Sequence, residues 1–171
     1  MRGGSGDVRA SYLNDIRRSY RRYRTVAESA IAQVGDEQLG VALDAEDNSI
    51  AVIMQHVGGN LRSRFVDFLA ADGEKPDRDR DREFEPPAST GRAQLLARWT
   101  AAWDLVMAEL ERLSPDDLER TVHIRQEPFT VVEALNRSLA HASYHVGQIV
   151  FLAKHFAGAS WTSLSIPKGK S

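Results

Sequence analysis

Five histidines carry most of the chemistry this chain can offer: His56, His123, His141, His145 and His155. His141 and His145 are four residues apart, so on a helix both imidazoles leave one face about one turn apart. That spacing lets two ring nitrogens reach one ion, as in other helical two-histidine metal sites. Alone the pair says little, because ordinary packing produces it too. Position sharpens it. At about 100° per residue, Ala142 lies near the middle of an apolar stripe, with His145 about 60° and His141 about 100° to one side. In another helical stretch, His56 lies about 100° to the same side of Val57. The three border their core stripes on matching flanks, as side chains that meet in a groove between helices must. Three neutral imidazoles leave at least one position on a divalent ion open to water or substrate, the pattern of a catalytic rather than a closed structural site. His123, read as a loop residue ahead of Pro128, and His155, near a helix end where the dipole favours a cation, are not ligand candidates.

Groups spaced around these histidines are the candidates for binding a substrate. Asn60 and Arg64 follow His56 by one and two helical turns, a ladder that points an amide and a guanidinium into the same groove. Arg137 precedes His141 by four residues and Gln148 follows His145 by three, so the two either line the groove's mouth or belong to a solvated helix face. Asp67, Asp104, Glu109 and Glu133 are alternative carboxylates for orienting an imidazole through its second nitrogen. Gly58 and Gly59, costly inside a helix, suggest a close approach by another helix or a ligand. Tyr144 falls on the outer face, suited to a dimer or tail contact. The alternating acids and arginines from Asp77 to Arg82 read as a solvated charge run. No residue stands out as a general base, so the catalytic residues are unassigned.

Four elements must position these side chains. Apolar residues recur at three- and four-residue steps from about Val8 to Val34, Ile50 to Ala70, Gly91 to Leu113 and Thr130 to Phe156. Breaks fall at Gly35, Gly40 and Gly158, and Asn48 or Ser49 caps the second stretch. Residues 72–90 form a long loop without periodicity, which favours a functional or partner-ordered segment. Thr121 to Ile124 reads as a brief extended piece ending before Pro128. Residues 158–171 form an irregular tail, in which Trp161, Lys168 and Lys170 either cover the open end of the fold or fray. Four such helices with no convincing strand set give an all-α, antiparallel four-helix bundle. The 171 residues make a single domain, 1–171, with 1–7 expected to be unstructured.

Composition narrows the function classes. A net charge of -2 argues against nucleic acid and anionic membrane surfaces, which need a positive excess. With no cysteine, thiolate ligands, disulfides and cysteine nucleophiles are all excluded. The glycine-rich start lacks the apolar segment of a signal peptide, and no apolar run approaches the roughly 20 residues of a membrane span. A soluble, cytoplasmic protein is the expectation.

The run NSIAVIMQHVGGNLRSRFVDFLAADGEKPDRDRDREFE, the later LNRSLAHASYHVGQIVFLAK and the tail SLSIPKGKS together resemble the DinB/YfiT-like superfamily of metal-dependent proteins. The first helix, YLNDIRRSYRRYRTVAESAI, extends the likeness over nearly the whole chain, with HVGGN, DGEKP, HxxxH and IPKG in order. The resemblance implies an up-down-down-up four-helix bundle, often a homodimer. It also implies one divalent ion of the zinc, nickel or manganese type, on His56, His141 and His145. Characterised relatives include thiol S-transferases that use bacillithiol or mycothiol, and a maleylpyruvate isomerase. The expected function is thus that of a metal-dependent thiol S-transferase or hydrolase acting on a small molecule. The alternative is a non-catalytic, dimeric metal-binding or stress-response module. Three neutral ligands put no carboxylate on the ion, so the ligand expected in the groove is an anion or a thiolate.

Overall fold

The computed structural model describes residues 7–87, 91–166 and 169–170. Residues 1–6, residues 88–90 of the long loop, and Pro167, Lys168 and Ser171 of the tail lie outside it. The described chain is mostly helical. Four long helices, α1 (Val8–Ile31), α3 (Ile50–Phe65), α4 (Arg92–Arg112) and α5 (Val131–Ala157), are joined by the single turn α2 (Asp36–Leu39) and a hairpin, β1 (Thr121–Ile124) and β2 (Glu127–Thr130). None is long and apolar enough to cross a membrane.

Local chemistry sets the helix ends. The Asp7 carboxylate accepts from the Arg9 amide at α1, and the Ser49 hydroxyl from the Val52 amide at α3, so Ser49 and not Asn48 is the cap. Thr130 and Glu133 exchange side-chain bonds at the start of α5 as a capping box. Two arginines close helix ends from a distance. Arg17 donates to the carbonyls of Leu110 and Leu113 at 2.9 to 3.0 Å, and Arg92 to those of Ile31 and Val34 at 2.8 and 2.9 Å. Both satisfy carbonyls that a helix leaves without partners at its end.

The apolar stripes meet in one continuous core. α1 packs against α5 and α4, and α3 packs against α4 and α5. At the centre the fully buried Tyr20 ring stands edge-on to Phe65 at 5.9 Å and Trp103 at 6.3 Å, and its hydroxyl donates to the Leu135 carbonyl. That cluster ties a residue from each long helix into one contact set, the arrangement in which aromatic rings contribute most.

Three elements depart from the sequence reading. α1 ends at Ile31 rather than Val34, and α2 occupies the space between the two breaking glycines. α3 stops at Phe65 rather than Ala70, because Val66 turns extended and Asp67 takes a positive φ of 48°. The stretch around His123 is not a lone extended piece: Thr121–Ile124 pairs antiparallel with Glu127–Thr130, and Pro128 lies inside the second strand. Arg125 and Gln126 make the two-residue turn, both at positive φ, the backbone form that matches strand twist. Neither is glycine. Asp72 compensates by accepting from both turn amides at 2.9 and 2.7 Å, while the Gly73 amide donates to the His123 carbonyl at 2.7 Å. The loop after α3 is therefore bound to the hairpin, and together they wall the groove beside α3 and α5.

The start of the tail is docked. Gln33 exchanges two hydrogen bonds with the Thr162 backbone at 3.1 and 2.7 Å, and Trp161 packs against the core.

Candidate metal centre

α3 and α5 bring His56, His141 and His145 together. One ring nitrogen from each lies within 4.8 Å of the others. The Nε2 atoms of His56 and His141 are 3.1 Å apart, close to the roughly 3.3 Å edge of a tetrahedron built with metal–nitrogen bonds of about 2.0 to 2.1 Å. His56 and His145 are each only 4% exposed. His145 Nε2 is buried with no hydrogen-bond partner, a position that costs free energy unless something occupies its lone pair. The residues present fit a divalent ion: an orphaned buried acceptor beside two nitrogens already at ligand spacing.

The second nitrogens are fixed. His56 Nδ1–H donates to Glu83 Oε2 at 2.9 Å, and His145 Nδ1–H to Gln148 Oε1 at 2.8 Å. A carboxylate can only accept, so Nδ1 of His56 carries a proton and Nε2 is the nitrogen that faces the cluster. Burial, with His145 and His56 next in weight, pushes His141 down to about 3; burial pushes His145 down to about 4. Near neutral pH both rings are uncharged and keep their lone pairs.

The carboxylate behind His56 comes from an unexpected place. Asp67, Asp104, Glu109 and Glu133 are all engaged elsewhere or distant: Asp104 pairs with Arg24, Glu109 with Arg112, and Glu133 caps α5. Glu83 does the orienting instead, from the loop segment next to the one read as a solvated charge run. Arg78 in that run is not solvated. Its side chain is 3% exposed and grips Glu83 in two-pronged fashion, Nε to Oε1 at 2.8 Å and Nη2 to Oε2 at 2.7 Å. Burial alone would raise the Glu83 carboxyl, but hydrogen bonds from Arg78 and His56 outweigh it and hold it below its ordinary value. Phe84 lays its ring against His56, 4.4 Å between centroids. Arginines interleaved with acids carry no periodic signal; only the Pro-flanked length of the loop hinted at a role.

A cavity of about 470 Å³ opens in front of His56 and His141. Asn60, Arg64 and Arg137 line it, as their spacing implied. Among its described lining residues five are arginines (64, 78, 80, 125 and 137) and none is acidic. Arg64 does not pair with Asp67 or Asp104; it holds Glu74 at 3.1 and 3.2 Å and the Gly73 carbonyl. Arg137 lies over the Phe129 ring at 5.6 Å. Gln148 is not in this wall; its place is behind His145. Tyr144 does more than face outward. It is half-exposed, yet its ring lies 4.0 Å from that of His145 and it joins the cavity lining. A larger cavity, about 860 Å³, lies on the far side of the loop between α3 and α4, and none of the three histidines lines it.

The fold and the site define a helical protein with a three-histidine cluster, two of its rings buried, able to hold a metal ion at the floor of an arginine-lined cavity. The chain belongs to the family described as "Protein of unknown function (DUF1572)", whose model matches residues 7–170. No curated protein matches it.

Proposed function

We propose that this protein is a divalent-metal-dependent enzyme of the DinB/YfiT-like type, with the up-down-down-up arrangement of its long helices, acting on a small anionic or thiol-bearing substrate. The observation that carries this reading is the convergence of three imidazole nitrogens beneath a cavity rich in arginine and without acids among its described lining residues. His56, His141 and His145 hold the ion, zinc, nickel or manganese. When bound, the ion lowers the pKa of a coordinated water or thiol and so supplies a nucleophile near neutral pH. Glu83 and Gln148 keep the Nδ1 protons of His56 and His145 and direct the lone pairs inward. Arg64 and Arg137 give a carboxylate or phosphate on the substrate a planar, paired partner. Asn60, one turn before Arg64 on α3, lines the same cavity and offers an uncharged donor and acceptor. The reaction class is thiol transfer or hydrolysis.

The described cavity lining also holds no carboxylate to take a proton, which favours as second reading a metal-binding or stress-response module without turnover. As in many such bundles, the working form is a homodimer, joined through the exposed rings of Tyr144 and Phe151 on one flank of α5.

Elemental analysis of protein purified without a histidine tag tests the metal: about one divalent ion per chain is expected, and none would end the proposal. Consumption of a thiol with monochlorobimane, present with metal and absent after chelation, separates the enzyme from the silent module.

A further inference from the structure

Two adjacent glycines sit in the middle of α3, where glycine lowers helix propensity, and their surroundings are unlike. A Cβ on Gly58 would meet only the Ala102 Cβ at 3.9 Å, an ordinary contact. A Cβ on Gly59 would fall 2.1 Å from Glu83 Oε1 and 2.6 Å from its Cδ. The end of a glutamate usually swings away from such a clash at little cost. Here it cannot, because Arg78 grips both oxygens at 2.7 and 2.8 Å and His56 holds one at 2.9 Å, in a site where the Arg78 side chain and Glu83 are both buried. Any shift that relieved the clash would break the bonds that set the His56 ring.

We infer that Gly59 is a positioning residue for the metal centre: its missing side chain is the space that lets Glu83 reach His56 and fix its Nδ1–H form. Gly58, one residue away, has no such part. The inference rests on the metal-site reading for its effect on affinity, but the orientation of His56 is a property of the metal-free protein as well. Partners that orient a ligating histidine are worth about 10- to 100-fold in metal affinity, and Gly59 acts through one of them.

The test compares four variants with the parent: Gly58→Ala, Gly59→Ala, Glu83→Ala and Gly59→Ala/Glu83→Ala. Cobalt(II) titration, followed by its visible absorption, measures affinity. Ring nitrogen-15 chemical shifts of the metal-free proteins report which His56 nitrogen carries the proton. Gly58→Ala should bind cobalt as the parent does and melt at a higher temperature. Gly59→Ala and Glu83→Ala should each weaken cobalt by about 10- to 100-fold and lose the pure Nδ1–H signature. In the Glu83→Ala background the clash is gone, so adding Gly59→Ala should change affinity by less than about 2-fold, the non-additivity expected of residues acting through one contact. This double variant also guards against a Gly59→Ala chain that fails to fold. Parent-like affinity and tautomer in Gly59→Ala would overturn the inference, as would a loss equally large with Glu83 absent, which marks a general helix distortion. If the parent itself binds no cobalt, the metal-site reading fails, and the nitrogen-15 comparison alone still decides the role of Gly59.

Discussion

Acidifying the metal-free protein from pH 6.5 to 4.5 should destabilise it, with His145 responsible for about 2 kcal/mol of the loss. Burial pushes its folded pKa down to about 4 from 6.5. The folded value lies below the unfolded one, so between them the unfolded chain binds a proton that the native ring refuses, and stability falls as pH falls. Each pH unit inside that window is worth about 1.4 kcal/mol per group; a window of two units, rounded at its upper end, gives the figure above. The ring is almost fully buried, so solvent screening takes little from it. His141, pushed down to about 3 chiefly by burial, adds a loss of the same sign, reduced because water reaches its ring. The carboxylates Glu74, Glu83 and Asp117 sit below their ordinary values, so their losses begin only at the acid edge of this window and fall mostly below it. Against the roughly 5 to 15 kcal/mol of a typical domain, the effect is measurable. Urea denaturation in EDTA at pH 6.5 and 4.5 should show His145→Gln losing about 2 kcal/mol less than the parent on acidification. Equal losses in the two proteins would refute the buried, neutral His145 on which the proposed metal centre depends.

Replacing a ligand should empty the site without unfolding the protein: His141→Ala or His145→Ala should carry metal far below one ion per chain, with circular dichroism nearly unchanged. Full metal in both variants would end the assignment. Arg64→Ala should weaken phosphate or carboxylate binding by roughly 1.5 to 3 kcal/mol, the worth of a charge-assisted hydrogen bond, with metal retained. A lowered melting temperature with unchanged anion affinity would instead assign Arg64 to bracing Glu74 and the loop. Light scattering at micromolar concentration should give a dimer mass, and Phe151→Glu, on the exposed flank of α5, should shift it to the monomer; a monomeric parent would refute the interface.

Much of the fold was legible because helix-period patterning acts locally. The stripes through Tyr20, Phe65, Trp103 and Leu135 identify the helices that bury them, and the four-residue step from His141 to His145 sets two imidazoles on one face whatever the partner. His56 could be joined to them because its flank on a second stripe is also a matter of counting residues. Caps were partly legible for the same reason, as Ser49 shows. The tertiary structure decided the contacts that loops make with the helices and the hairpin. Glu83 reaches His56 across 27 residues of chain, through a loop whose alternating charges look solvated until Arg78 is buried against it. The Arg125–Gln126 turn takes positive φ without glycine because Asp72, more than fifty residues away, binds its amides. Arg64 finds Glu74 rather than Asp67 because α3 ends at Phe65 and the chain folds back beside it. Periodicity records which face of an element is buried, whereas a charged loop acquires its partners only when desolvation makes pairing worth more than hydration. That balance exists only once the helices have closed around it.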